Sequence, residues 1–423
     1  MAVATCASPV AAGQPAEVSA PPSQSPSIPR KTLAVEKAGK GTVRAGTGGG
    51  VIADDPNPTV ARDTLSCTLA AAQHYLDIAN HGGWPTLKGP LGPGAASAEL
   101  YVLRQRLEIE GDLTLTAETN AREAPWDDAL TDALKHCQER LGVRATGRLD
   151  QVTLTALNVP AADRARALQA SAQRLAGARD FLFFGRRYVV VNIPAASVEA
   201  VEEGRVVHRY AAVAGDKDHQ SPQIKAKINA IIVNPTWTLP ASITRNEIIP
   251  KMERNRRYLS RAKIRILDRH GRALNPRSID WSSTDATAFT LRQDAGPKNS
   301  LGTLKIDMPN PQDVYMHDTP AKRNFAADYR FLSHGCVRVD GIYDLAAWLL
   351  AGVRRRSGNV WDVAAIGREV RGRQKHILRL ERNVPVLWVY LDAWEGPDGA
   401  VHFRDDIYSL DQAPAAVPVS QSR

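Results

Sequence analysis

At Arg187 the apolar pattern of this chain changes period, and that change limits the fold more than any other feature. Before it, apolar residues recur every three to four positions. Leu65, Leu69, Ala72, Tyr75 and Leu76 do so within Thr64–Asn80, Leu100, Leu103 and Leu107 within 97–108, and Leu130, Ala133, Leu134 and Cys137 within 127–141. That spacing predicts helices, and His81-Gly82-Gly83-Trp84-Pro85 stops the first of them. A short helix Gln151–Leu157 follows, and 162–183 reads as a helix joining two domains. After Arg187 the runs 188–194 and 197–201 and then Arg205–Gly215, turned by Glu203-Gly204, predict a β-meander. Further strands are expected at 228–234, 281–291, 303–308, 314–316, Phe331–Ser333 and 384–393, with a helix at 341–350. Between two of these strands, 241–280 turns polar and helical, in the stretches 243–255, 258–262 and 264–267. It therefore reads as an inserted subdomain.

At 423 residues the chain is long enough for two sizeable cores. Residues 1–60, rich in Ala, Pro, Ser and Gly, carry too few large apolar residues to pack and are expected to be a disordered tail, as are 411–423. No apolar run approaches the roughly 20 residues a membrane helix needs. Met1–Ala20 lacks the basic and continuous apolar stretches of a secretory leader. The net charge is +9, and 351–383 holds nine Lys/Arg against three Asp/Glu. Such a surface suits an acidic partner or is simply a solvated face. No nucleic-acid-binding module accompanies it, so no nucleic acid partner is expected. Four scattered cysteines without a CxxC pair predict neither a disulfide scaffold nor a zinc site, and a Cys67–Cys137 bridge stays open.

One of those cysteines sits in Phe331-Leu332-Ser333-His334-Gly335-Cys336-Val337-Arg338-Val339. Nineteen residues upstream His317 lies in Val314-Tyr315-Met316-His317-Asp318-Thr319-Pro320. A thiol attacks as thiolate, and a nearby imidazole or cation favours that form. Gly335 allows close backbone approach, so the amides beside Cys336 are candidates for an oxyanion pocket. A buried structural cysteine is the bland alternative. The convergence of Cys, Gly, Arg and two His favours a nucleophile.

Ser-His-Gly-Cys-Val-Arg preceded by Tyr-Met-His-Asp-Thr-Pro resembles the active-site signature of the L,D-transpeptidases, the YkuD-type enzymes that cross-link peptidoglycan. The likeness extends from about Gln73 to Tyr408 and is nearest to the larger Gram-negative subgroup. It implies an α+β chain: a mainly-β catalytic domain (187–410), a β-sandwich with a helical capping insertion at about 241–280, beside an all-α N-terminal region (61–160). Within that region about 97–160 is similar to a peptidoglycan-binding module, and 161–186 would be the linking helix. The family usually has Phe where Cys137 stands, so glycan binding there is as open as a structural role.

The resemblance also implies roles. Cys336 would carry the acyl group, His317 would take its proton or pair with its thiolate, Gly335 would serve the oxyanion, and Arg338 would support the site. His334 would steady the loop or only pack. Tyr315, Ser333 and Trp237 are candidates to line the substrate cleft, although Trp237 could equally fill core. Asp318, adjacent to His317 along a strand, should point to the other face, which leaves a backbone carbonyl to orient that histidine.

The implied substrates are peptidoglycan stem peptides, with other cell-wall proteins as further partners, in the periplasm or cell envelope. Neither metal nor organic cofactor is implied, and carbapenems are the implied inhibitors. Hydrolysis of the same stems by a carboxypeptidase or cysteine peptidase, or a non-catalytic wall-anchoring role, are the competing readings.

Overall fold

The computed structural model describes residues 55–95, 97–116, 118–178, 185–281, 288–355 and 358–412. Its first part is helical: α1 (Thr64–Asn80), α2 (Ser97–Ile109), α3 (Asp128–Arg140), α4 (Gln151–Leu157) and α5 (Ala161–Ala176). Asp127 and Asp150 cap α3 and α4, accepting from the amides of Leu130 and Thr153. Leu130, Leu134 and Cys137 share one face of α3 and are fully buried. Cys137 is a free thiol, so the bridge to Cys67 does not form.

The second part opens with β1 (Arg187–Asn192), β2 (Ser197–Glu202), β3 (Arg205–Gly215) and β4 (Ile224–Val233). An inserted unit follows, with β5 (Trp237–Thr238), α6 (Ala241–Ile243), a π-helical turn (Thr244–Ile248), α7 (Ile249–Arg254), α8 (Tyr258–Ala262), β6 (Ile264–Leu267), β7 (Ala273–Leu274) and β8 (Thr290–Gln293). The chain then returns through β9 (Leu304–Asp307), β10 (Met316–His317), β11 (Phe331–Ser333), β12 (Val337–Val339), α9 (Ile342–Leu349), α10 (Val363–Arg371), β13 (His376–Val389), β14 (Ala393–Glu395) and β15 (Val401–Phe403).

Nine strands form one sheet in the order β11-β3-β12-β10-β9-β4-β13-β1-β2, and β2 also pairs with β3. Eight of them thus close into a ring instead of the two facing sheets of the expected sandwich. The eleven-residue β3 makes this closure, because its first half pairs with β2 and its second half with β12 and β11. Alternate residues point inward. Val191, Val198, Ala212, Ile306, Met316, Val337, Val339 and Trp388 fill the interior with Leu345 and Leu349 of α9. The opposite parity puts Tyr315, His317, Cys336 and Arg338 together on the other face.

Several boundaries depart from the sequence reading. The insertion is mixed α/β and spans β5 to β8: a four-stranded sheet (β5-β8-β6-β7) packs helices over its own core of Leu239, Ile243, Met252, Leu259, Ile266, Trp281 and Leu291. Residues 264–267, expected to be helical, are strand β6, because Ile264 and Ile266 alternate with exposed Arg265. The strand expected at 281–291 reduces to β8, while 282–287 lie outside the described residues. Helix α10 was not expected at all.

The joining helix ends at Ala176 and is more than a linker. Ala165 and Leu168 of α5 enter the helical core with Tyr75, Leu103 and Leu134, and so do Ala393 and Phe403 of the β14–β15 hairpin. The hairpin therefore belongs to the helical core rather than to the catalytic sheet. The expected tail also ends early. Thr59 and Val60 are buried, since the carboxylate of buried Glu199 takes hydrogen bonds from the Thr59 amide (2.9 Å) and hydroxyl (2.7 Å) and from Arg209 Nε (3.0 Å). A carboxylate removed from water requires such partners. Residues 1–54 and 413–423 of the expected tails lie outside the described residues.

Candidate active site

Strand β10 lies between β9 and β12, and its register assembles the site. Parallel pairing sets His317 beside Arg338 and Met316 beside Val337, while antiparallel pairing sets His317 beside Lys305. The Val337 amide donates to the Tyr315 carbonyl at 3.1 Å, so Cys336 emerges next to Tyr315. The Tyr315 ring meets the His317 ring edge-on at 5.8 Å between centroids, and Lys305 Nζ lies 4.1 Å from the Tyr315 centroid. Trp237 of the insertion lies close enough to the Tyr315 hydroxyl to act on it, and its ring packs, partly buried, against the core of the insertion.

The turn Ser333–Cys336 is held by β3 on both sides. Strand β11 runs parallel to β3 with Ser333 beside Gly215, and β12 runs antiparallel with Arg338 beside Val213. Gly335 takes φ +102°, a region L side chains rarely adopt. The Ser333 hydroxyl donates to the Cys336 carbonyl at 2.5 Å and accepts from the Gly335 amide at 3.2 Å. Ser333 is therefore a buried brace of the turn, not a residue that faces substrate. The Gly335 amide is also engaged at rest, whereas the Cys336 amide has no acceptor among the described residues.

The outer support comes from residues that sequence reasoning passed over. Ser221 Oγ donates to the Gly335 carbonyl at 2.8 Å and accepts from the Gly215 amide at 2.9 Å. Tyr408 accepts from the Ser221 amide at 3.1 Å and donates to the Gly215 carbonyl at 2.7 Å. A Cβ on Gly215 would stand 2.1 Å from the His219 carbonyl, so only glycine fits there. The sole local signal for Tyr408 was its place in the C-terminal strand-turn, and nothing marked Ser221.

His317 is 5% exposed, and its Nδ1 lies 2.5 Å from the Asp318 backbone carbonyl. A carbonyl only accepts, so Nδ1 carries the proton and Nε2 is left as the acceptor. The Asp318 carboxylate turns away. It accepts from the Thr303 amide and hydroxyl at 2.8 and 2.6 Å and from Lys322 at 2.5 Å. Burial, reinforced by the Arg338 charge, lowers His317 to about 3. Burial pushes the Cys336 thiol up to about 11, against the pull of Tyr315 hydrogen bonds and the Lys305 charge. Both shifts favour neutral thiol and neutral imidazole at rest over an ion pair. Burial lowers Arg338, whose Nε is buried without a hydrogen-bond partner and which has no ion-pair partner among the described residues. It is an unspent cation beside the cysteine. His334 Nε2 lies 2.9 Å from Glu247 Oε1 of the insertion, an ion-pair contact when the ring is protonated.

Residues 186–360 match the YkuD family, described as L,D-transpeptidase catalytic domain. A Haemophilus influenzae protein provisionally named L,D-transpeptidase is 30% identical over 246 residues, which cover 58% of this chain and 48% of that protein. The chain thus aligns with about half the length of that curated relative. Among solved structures, an L,D-transpeptidase from Mycobacterium smegmatis is 17% identical over 48% of this chain and 58% of its own, with a TM-score of 0.23. Another from Stackebrandtia nassauensis is 13% identical over 72% and 96%, with a TM-score of 0.25. The family match covers β1 through α9, the stretch that holds both motifs, so residues 186–360 of this chain are similar to a YkuD-type L,D-transpeptidase catalytic domain.

Proposed function

We propose that the protein is an L,D-transpeptidase that joins peptidoglycan stem peptides through a Cys336 acyl-enzyme. One observation carries the reading most. Strands β10 and β12 bring Tyr315, His317, Cys336 and Arg338, which has no ion-pair partner among the described residues, onto one face, inside the stretch that matches the family.

In the first half-reaction His317 Nε2 takes the thiol proton as sulfur attacks the carbonyl of the third stem residue. The Cys336 amide donates to the oxyanion, and the Gly335 amide joins by leaving Ser333. Such donors are worth about 3–4 kcal/mol each. The carbon–nitrogen bond to the terminal D-Ala breaks, and that amine leaves with the proton from His317. In the second half-reaction the side-chain amine of another stem attacks the thioester and gives its proton to His317, and the thiol is restored. Arg338 offers its free guanidinium to a substrate carboxylate.

The insertion would cap the cleft and keep water from the thioester. It supplies two contacts at the right place, Trp237 on Tyr315 and Glu247 on His334. The family's cell-wall chemistry points to an envelope location. No helix among the described residues is long and apolar enough to cross a membrane. The module within 97–160 would hold the enzyme to glycan.

The test is incubation with disaccharide-tetrapeptide followed by mass spectrometry. Cross-linked dimer with loss of D-Ala supports transpeptidation. Tripeptide alone supports the carboxypeptidase reading, and unchanged substrate overturns both.

A further inference from the structure

We propose that Glu247, on the π-helical turn of the insertion, is a positioning residue that acts through His334 to hold the Ser333–Cys336 turn, so that the insertion and the nucleophile are mechanically coupled. The two residues are 87 positions apart, yet Glu247 Oε1 lies 2.9 Å from His334 Nε2. The turn that carries Glu247, Thr244–Ile248, is π-helical, a rare geometry that often marks functional positions. Its i+4 neighbour Lys251 steadies the same carboxylate at 2.7 Å through the other oxygen.

On its far side the His334 ring meets the His219 ring at 4.4 Å between centroids. His219 Nδ1 is 3.0 Å from Asp216 Oδ1, and the Asp216 amide donates to the Ser333 carbonyl at 3.0 Å. His334 is thus clamped between the insertion and the segment after β3, one residue before the glycine whose φ sets the turn. A shift of the insertion that carries Glu247 along pulls on the residue next to Gly335.

The titratable and charged groups around His334 are Glu247 of the insertion, itself paired with Lys251, then Asp216 and His219 from the segment after β3, and Arg338 from β12. The Glu247 hydrogen bond raises His334 above its ordinary value, and the same bond, with Lys251, holds Glu247 down at about 2. Because His334 is raised, the coupling is fully present below its unperturbed value. It is lost as pH rises through the folded one. That the coupling serves acyl transfer rests on the function proposed above, whereas the coupling itself does not.

The experiment uses the full chain with labelled histidine. Nuclear magnetic resonance follows the His334 titration in wild type and Glu247→Gln, and hydrogen exchange follows 241–262 and 331–338. Glu247→Gln should move the His334 midpoint to lower pH and speed exchange in both segments. Glu247→Asp, which retracts the carboxylate by one methylene, should do the same. An unchanged midpoint, or an unchanged exchange rate in 331–338, overturns the coupling. Acylation of Cys336 by stem tetrapeptide should fall roughly five-fold in kcat for Glu247→Gln, with KM little changed, as the loss of one half-exposed charged hydrogen bond would give. Equal kcat despite altered exchange refutes the positioning role. If wild type itself fails to react with stem peptide, the acyl-transfer reading falls while the resonance and exchange measurements still judge the coupling.

Discussion

Ser221 Oγ donates to the Gly335 carbonyl at 2.8 Å, so the turn that presents Cys336 is fixed from outside its own strand pair. Both groups are buried, and removing the hydroxyl orphans the Gly335 carbonyl and the Gly215 amide. Ser221→Ala should therefore cost about 1–3 kcal/mol of stability. It should slow Cys336 acylation by ~10-fold or more at a temperature where the variant is still folded, because misplacement of the turn is felt at the sulfur. Chemical denaturation and single-turnover acylation measure the two effects. A variant that is as stable and as fast as wild type would show that the contact is incidental.

The thiol and imidazole should both be neutral at rest, since burial holds Cys336 near 11 and His317 near 3. Alkylation of Cys336 by iodoacetamide should then rise about ten-fold per pH unit from pH 7 towards 10, tracking the thiolate fraction. Peptide mapping isolates the Cys336 signal. A plateau already reached below pH 8 would mean that the resting enzyme holds a thiolate–imidazolium pair.

Stability should carry the mark of His317. Its folded value of about 3 lies below the ordinary 6.5, so the unfolded chain binds the proton more readily. The neutral histidine therefore leaves stability intact above pH 6.5 and withdraws it progressively as pH falls towards 3, by up to ~5 kcal/mol. Denaturation of wild type and His317→Gln across that range should show the wild type losing ground on the acid side. A stability difference that stays constant with pH contradicts the buried neutral imidazole.

Carbapenems should acylate Cys336, with a mass increase seen on the intact protein and mapped to the Ser333–Arg338 peptide. Cys336→Ala should show none, and Cys137, fully buried, should stay unmodified in the folded chain. Arg338→Ala should slow the adduct, because it removes the cation that has no ion-pair partner among the described residues. An adduct on Cys137 in place of Cys336 would place the reactive centre elsewhere.

Much of this was legible along the chain because it rests on local rules. The change of period at Arg187 separates the helical core from the strands. Asp127 and Asp150 sit where helix starts need acceptors. Helices α1 and α4 and strands β3 and β11 have the bounds their patterns predict. The motif around Cys336 and His317 carried the likeness to the family that residues 186–360 match.

What the sequence left open depends on contacts between distant segments. Alternation predicts strands but not which edges meet, and only the pairing of β2 with β3 turns the sheet into a ring. No local pattern says that Thr59 will meet Glu199, that Ser221 and Tyr408 will hold Gly335, or that Glu247 will reach His334. The protonation of the site is likewise a tertiary property. The Cys and His motifs leave proton transfer and an ion pair both open, whereas burial, which removes the water that would stabilise both charges, favours the neutral forms. Sequence sets which groups are present. Their desolvation, and hence their charge, is decided only when the strands and the insertion close over them.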